Sequence, residues 1–198
     1  MAYGLHYTDT LAGRVFAQSA TPLGLAIPIY TATAIAGGMP IWNPPTSNRN
    51  VELISVDIDY GSGTSVYGSV GLMGLPLAAI ATGALCTALA ATTPTNGFLL
   101  GGASSRVISS NAGTVTVTAG VATAPSATAP GWIRGLASIN LEAQTGTAHA
   151  TGIQKYVFDG TVIIPPGVMV YLAATLASVA LFCSSIVWKE IPINAQAG

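Results

Sequence analysis

From Val51 to Tyr60 two kinds of side chain alternate. Ile54, Val56, Ile58 and Tyr60 fall on one side, and Ser55, Asp57 and Asp59 on the other. A period of two sends alternate residues to opposite faces of an extended strand, one toward a core and one toward water. A helix would scatter the same residues around its circumference. The signal recurs. Thr64–Met73 carries Val66, Gly68, Val70 and Leu72 on one face, and Gly61–Gly63 lies between the two runs, which predicts a hairpin with a short glycine-rich turn. Arg106–Ser109, Gly113–Thr118, Gly131–Leu141, Ile153–Phe158, Thr161–Ile164, Val168–Ala174 and Val179–Ile191 read as further strands punctuated by Gly, Pro or Asp-Gly. About eight to ten short strands at such spacing predict an all-β sandwich or barrel. Leu77–Ala90, rich in Ala and Leu after Pro76, is the one stretch that reads as a short helix. Residues 1–34, broken by Pro22 and Pro28, read as an extended N-terminal arm ahead of a single domain over 35–198. Ala119–Gly131 reads as an extended, low-complexity loop.

The surface of such a sandwich has little charge to draw on. The 198 residues include 6 Lys+Arg and 7 Asp+Glu, for a net charge of -1, while 51% are hydrophobic types. Ordinary domains are about 25% charged. A compact monomer of this size would expose roughly 8,700 Å², and soluble surfaces hold apart through dense, mixed charge. The expectation is an exterior covered by other protein. There is no basic excess to neutralise phosphates, so no nucleic-acid partner is expected. The hydrophobic content argues against global disorder, and Cys86 and Cys183 are too few for a disulfide scaffold. Gly71–Ala91 and Pro165–Trp188 are free of charge for longer than the roughly 18 residues that make a membrane span a candidate. Neither is flanked by a Lys/Arg cluster, both are diluted by small residues, and the second divides into two strand-like pieces, so no membrane partner is expected. MAYGLHYTDTLAGR lacks the basic and apolar regions of a secretory signal. Two unclustered cysteines fit a reducing cytoplasm.

Reactive chemistry has few carriers. His6 and His149 are the only side chains with an ordinary pKa near neutrality, and neither accompanies a recognisable Ser or Cys nucleophile. Cys86 and Cys183 sit in apolar runs and read as core residues. Asp57 and Asp59 form the one close carboxylate pair. They could face a hard cation such as Ca²⁺, but any solvent-facing strand offers the same spacing. Gly61-Ser62-Gly63 and Gly101-Gly102 lack P-loop and Rossmann context and read as turns. No catalytic, cofactor or metal residue is assigned, and the chain is expected not to be an enzyme. Arg14, Arg49, Arg106 and Arg134 are scattered, which suits interface ion pairs better than a nucleic-acid track. The candidate interface residues are Trp42, Arg49, Tyr60, Tyr67, Arg106, Trp132 and Arg134. Tyr60, Tyr67 and Asp57 would be the best set for a carbohydrate- or receptor-binding rim.

The segment FDGTVIIPPG, Phe158–Gly167, joins an Asp-Gly turn, a short strand and a Pro-Pro-Gly turn, and the last strand ends in VWKEIP. Proline donates no ladder hydrogen bond, which puts the Pro-Pro turn at a sheet edge or corner. This pattern resembles the end of jelly-roll domains in viral and phage structural proteins, where a strand pair of the form xDGtxxvPPGxxvxL precedes a last strand carrying W-E-x-P. Here Lys189 stands between Trp188 and Glu190. The resemblance covers chiefly Asn43–Tyr60 and Phe158–Pro192 and is to the decoration, or cement, proteins of tailed-bacteriophage heads. It implies an all-β, jelly-roll-like antiparallel β-sandwich, made in the host cytoplasm and placed on the capsid exterior of the virion. It implies the major capsid protein as partner, and self-association as a homotrimer, with a dimer as the other option. The alternatives are the major jelly-roll capsid protein itself and a glycan- or receptor-binding head-fibre sandwich.

Overall fold

The computed structural model describes residues 6–21, 24–27, 29, 34–63, 68–76, 94–97, 104–109, 115–118, 131–139, 154–175 and 180–193. One helical turn, α1 (Tyr7–Leu11), precedes the strands β1 (Val15–Ser19), β2 (Leu25–Ala26), β3 (Ala34–Asn43), β4 (Arg49–Ser62), β5 (Gly68–Pro76), β6 (Thr95–Asn96) and β7 (Ile108–Ser109). Then follow β8 (Val115–Thr118), β9 (Gly131–Ile139), β10 (Gln154–Val157), β11 (Ile163–Ile164), β12 (Val168–Ala174) and β13 (Leu181–Pro192). The first sheet runs β10-β4-β13-β1-β6, with β11 also on β4 and β2 on β13. The second runs β7-β3-β12-β5-β9, with β8 also on β3.

The connectivity is that of a jelly roll. Strands β1 and β13 pair antiparallel, as do β3 with β12, β4 with β10 and β5 with β9. Among these eight strands first pairs with last, second with second-last, and so inward to the β5–β9 fold-back. Rolling that doubled ribbon gives two four-stranded faces, β10-β4-β13-β1 and β9-β5-β12-β3, the eight-stranded double sheet of the jelly-roll class.

Alternation decides which side chains meet between the sheets. Trp188, Ile186 and Phe182 of β13, Phe16 of β1, and Val56 and Ile58 of β4 meet Val70, Leu72, Val170 and Leu172 in one buried cluster. Phe16 and Trp188 stack at 6.2 Å between ring centroids. In β4 the register slips opposite Val187 and Trp188, leaving Ile54 as the extra residue of a β-bulge. The inward set is therefore Val51 and Leu53 before the bulge and Val56 and Ile58 after it, with Ile54 itself half-buried.

The second sheet is buried on both faces. Trp42, Met73, Met169, Tyr171 and Ala173 point away from the intersheet cluster by strand parity, yet all are buried within the single chain. This explains why Val168–Ala174 is apolar without alternation, as doubly covered strands are. The charge-free run Pro165–Trp188 thus supplies β12 to one sheet and β13 to the other. No helix among the described residues is long and apolar enough to cross a membrane, which leaves β-barrels unaddressed.

Several expectations need correcting. β4 and β5 do not form a hairpin: β4 lies between β10 and β13 in one sheet, β5 between β12 and β9 in the other. Both edges of β4 are taken, so the chain crosses the sandwich after Gly63. Within the stretch expected as an arm, Val15–Ser19 is paired into the first sheet and Phe16 enters the core. Cys183 is half-buried on the outer face of the first sheet, opposite Asp59, rather than in the core, because β13 turns its odd positions outward. The expected helix over Leu77–Ala90, and Cys86, His149 and Tyr67, lie outside the described residues.

The turns behave as their residues dictate. Asp159 and Gly160 both have positive φ, 40° and 84°, the two-residue geometry that Asp-Gly favours. Thr161 N–H closes the turn on the Phe158 carbonyl at 2.9 Å. Pro165-Pro166-Gly167 carries the chain from β11 in the first sheet to β12 in the second. There the buried Asn43 side chain donates to the Arg49 and Ile164 carbonyls, each at 2.9 Å.

Candidate functional site

The two sides of the sandwich are finished differently. On the β1 and β3 side, β6 extends the first sheet and β7 and β8 pair with β3. On the opposite side β10 and β9 end their sheets, and no described strand pairs with their outer edges. Such free edges are ready to pair with another chain unless charge, Pro or twist blocks them. Each edge strand carries one exposed cation, Lys155 on β10 and Arg134 on β9, beside exposed apolar groups. Trp132 and Ile133 of β9 are each 42% exposed, Val157 of β10 is 52% exposed, and Ile163 of neighbouring β11 is 51% exposed.

Glycines in β5 prepare this side. A Cβ added at Gly71 would overlap the Trp132 indole, and one at Gly74 would come within 2.6 Å of Ile133 Cδ1. The missing side chains let both residues of the edge strand lie down on β5. Arg134 places its guanidinium carbon 5.4 Å from the centre of the Phe158 ring, a cation–π contact that closes the intersheet gap behind them. Gly71→Ala is expected to lift the indole off the sheet at a cost of about 1–3 kcal/mol. A shift in Trp132 fluorescence would register it, and Gly71→Ala in a Trp132→Ala background should cost less.

Most of the charged groups among the described residues gather at the end where β1 and β4 begin and β13 finishes. Register sets Lys189 directly between Glu52 and Val15. Its Nζ lies 3.0 Å from Glu52 Oε2 and 3.4 Å from Asp9 Oδ2. Asp9 Oδ1 in turn lies 3.6 Å from Arg14 Nη1. Burial opposes the Lys189 charge, but the hydrogen bond and charge of Glu52 and the charge of Asp9 outweigh it and raise the pKa above 10.5. His6 Nε2 stands 3.5 Å from Asp159 Oδ1. Glu190, on the inward face of β13, is buried and accepts from Ser105 Oγ at 2.6 Å and from Arg106 N–H at 3.1 Å. A recess of about 460 Å³ beside it is lined by Arg14, Arg49, Arg106, Ser104 and Ser105 among others.

The other candidates divide. Asp57 and Asp59 share the outer face of the first sheet with Cys183 and Ser185, around a depression of about 370 Å³. Asp57 accepts from Ser185 Oγ at 2.9 Å. No group of three or more His, Cys, Asp or Glu among the described residues is placed to hold a metal ion. Tyr60 points inward, edge-on to Phe182, and donates its hydroxyl to the Gly63 carbonyl. It therefore cannot join Asp57, which faces outward from the same strand, in a glycan-binding rim. Trp42 is fully buried beside Met169 and is not available to a partner. Of the expected interface set, Trp132 and Arg134, both exposed, lie on β9 at the open side, whereas the half-buried Arg49 and the exposed Arg106 line the recess at the charged end. Ile133, Val157 and Ile163 were missed, because a run such as Trp132–Ile133 reads as core until the edge position of its strand is known.

No protein-family model, curated protein or solved structure matches this chain.

Proposed function

We propose that this protein is a non-enzymatic structural subunit of a virion, of the decoration or cement type, which binds the outer surface of the capsid and bridges capsomers. The observation that carries the reading is the open side of the sandwich. Two edges with no strand paired to them among the described residues carry Trp132, Ile133 and Val157 exposed, with Ile163 of β11 exposed beside them, on a chain with few charges to keep it apart from its neighbours. Exposed aromatic and aliphatic groups at a free edge are what an interface core uses. The jelly roll, a fold of capsid and lectin domains, is consistent with this role but supports it only by analogy. The mechanism is mechanical. Each contact is modest, and symmetric repetition over a shell holds the subunit through avidity. Self-association as a homotrimer, or as a dimer, would cover part of the same side before the major capsid protein covers the rest.

A second reading, the jelly-roll shell protein itself, is favoured by the nested pairing of the eight main strands. The two separate on co-sedimentation with preformed shells. A decoration protein binds them saturably, whereas a shell protein assembles particles alone. The double variant Trp132→Asp, Ile133→Asp is expected to weaken shell binding by at least about tenfold, or about 1.4 kcal/mol, while leaving the far-ultraviolet spectrum intact. Failure of the wild-type chain both to bind shells and to form particles would overturn both readings.

A further inference from the structure

Three of the four arginines in this chain, Arg14, Arg49 and Arg106, line one recess although they lie far apart in sequence. The jelly roll brings them there. Arg14 precedes β1, Arg49 opens β4 and Arg106 precedes β7. In a protein with so few charges this concentration runs against like-charge repulsion, and only part of it is offset. Arg14 has Asp9 at 3.6 Å. Among the described residues, the guanidiniums of Arg49 and Arg106 have no carboxylate within ion-pair distance. The one carboxylate lining the recess, Glu190, is occupied, since it accepts from Ser105 Oγ and from the backbone N–H of Arg106. It pins the loop that carries Arg106 rather than neutralising the guanidiniums. The lining therefore holds a formal surplus of two positive charges in a space of about 460 Å³.

We propose that this recess is a binding site for a phosphoryl-class oxyanion bearing two or more negative charges, such as a terminal phosphate or pyrophosphate group. Planar guanidinium forks match two oxygens of a tetrahedral oxyanion at once. Ser104 adds a hydroxyl to the same wall, while the Ser105 hydroxyl proton is committed to Glu190. The site lies at the ion-paired end, away from the apolar open side, so it stands independently of the proposed virion role.

The test is calorimetric titration of the full chain with inorganic pyrophosphate, orthophosphate and citrate at constant ionic strength. Pyrophosphate should bind saturably with one site per chain and a Kd of about 1 mM or tighter. Arg106→Gln and Arg49→Gln should each weaken it by about tenfold, and Arg106→Lys should fall between, since it keeps the charge and loses the fork. Lys155→Gln, on β10 and outside the recess, should leave binding unchanged. Absence of saturable pyrophosphate binding would overturn the proposal, as would a loss in Lys155→Gln equal to that in Arg106→Gln. Citrate binding as tightly as pyrophosphate would overturn the phosphoryl assignment. Tighter binding of a single-stranded oligonucleotide without terminal phosphate would overturn it in favour of a nucleic-acid backbone.

Discussion

Trp188→Ala is expected to remove about 3–5 kcal/mol of folding stability, enough to unfold much of the population of a marginal domain. Trp188 is fully buried in the middle of the intersheet cluster, stacked on Phe16. It sits on β13, the strand that β4 and β1 flank. Truncation loses the buried area and leaves a cavity that three strands would have to move together to fill. Trp188→Phe separates shape from polarity. It keeps an aromatic ring against Phe16 and removes an indole N–H that has no hydrogen-bond partner among the described residues, so its cost should be at most about 1.5 kcal/mol. Urea denaturation of the two variants checks both figures. A loss near 1 kcal/mol for Trp188→Ala would mean that the core is not organised around this ring.

Lys189→Met is expected to cost about 2–3 kcal/mol near neutral pH. The side chains of Lys189 and Glu52 are only 15% and 13% exposed. Removing the ammonium leaves the Glu52 and Asp9 carboxylates without the cation between them, and an uncompensated buried charge costs more than the intact pair contributes. Adding Glu52→Gln should recover part of the loss. The pH dependence follows from the raised Lys189 pKa. The folded state holds the proton more tightly than the unfolded chain, so the contribution is complete below pH 10.5 and is lost as pH rises above that value toward the folded-state pKa. The stability difference between wild type and Lys189→Met should hold steady from about pH 8 to 10 and narrow above that range. A difference that does not change at high pH would remove Lys189 as its source.

Much of the sandwich was legible because alternation is a local signal. Val51–Tyr60, Val168–Ala174 and the final strand appear close to where the pattern puts them, and the Asp-Gly and Pro-Pro-Gly turns do what their backbones allow. Partner choice was not legible. Thr64–Met73 follows β4 at hairpin distance, but β4 is claimed on both edges by β10 and β13, which come more than ninety residues later. Val15–Ser19 looks too short and mixed to be a core strand until Phe16 meets Trp188. The separation of Tyr60 from Asp57, by contrast, was legible, because the alternation of Val51–Tyr60 already puts them on opposite faces. The arginine recess was invisible, since Arg14, Arg49 and Arg106 meet only after rolling. The apolar excess also has a partly internal use, because the β3–β12–β5 sheet buries Trp42, Met169 and Tyr171 on its second face.

What the internal burial leaves unexplained is the set of exposed apolar side chains on the open side, Trp132, Ile133, Val157 and Ile163. Sedimentation equilibrium of the purified chain, from micromolar to millimolar concentration at moderate salt, addresses this directly. The expected result is reversible association into a small closed oligomer, a trimer first, with Trp132→Asp, Ile133→Asp shifted toward the single chain. A mass of 19.9 kDa maintained to millimolar concentration would contradict the account, because the exterior would then need no neighbour to cover it.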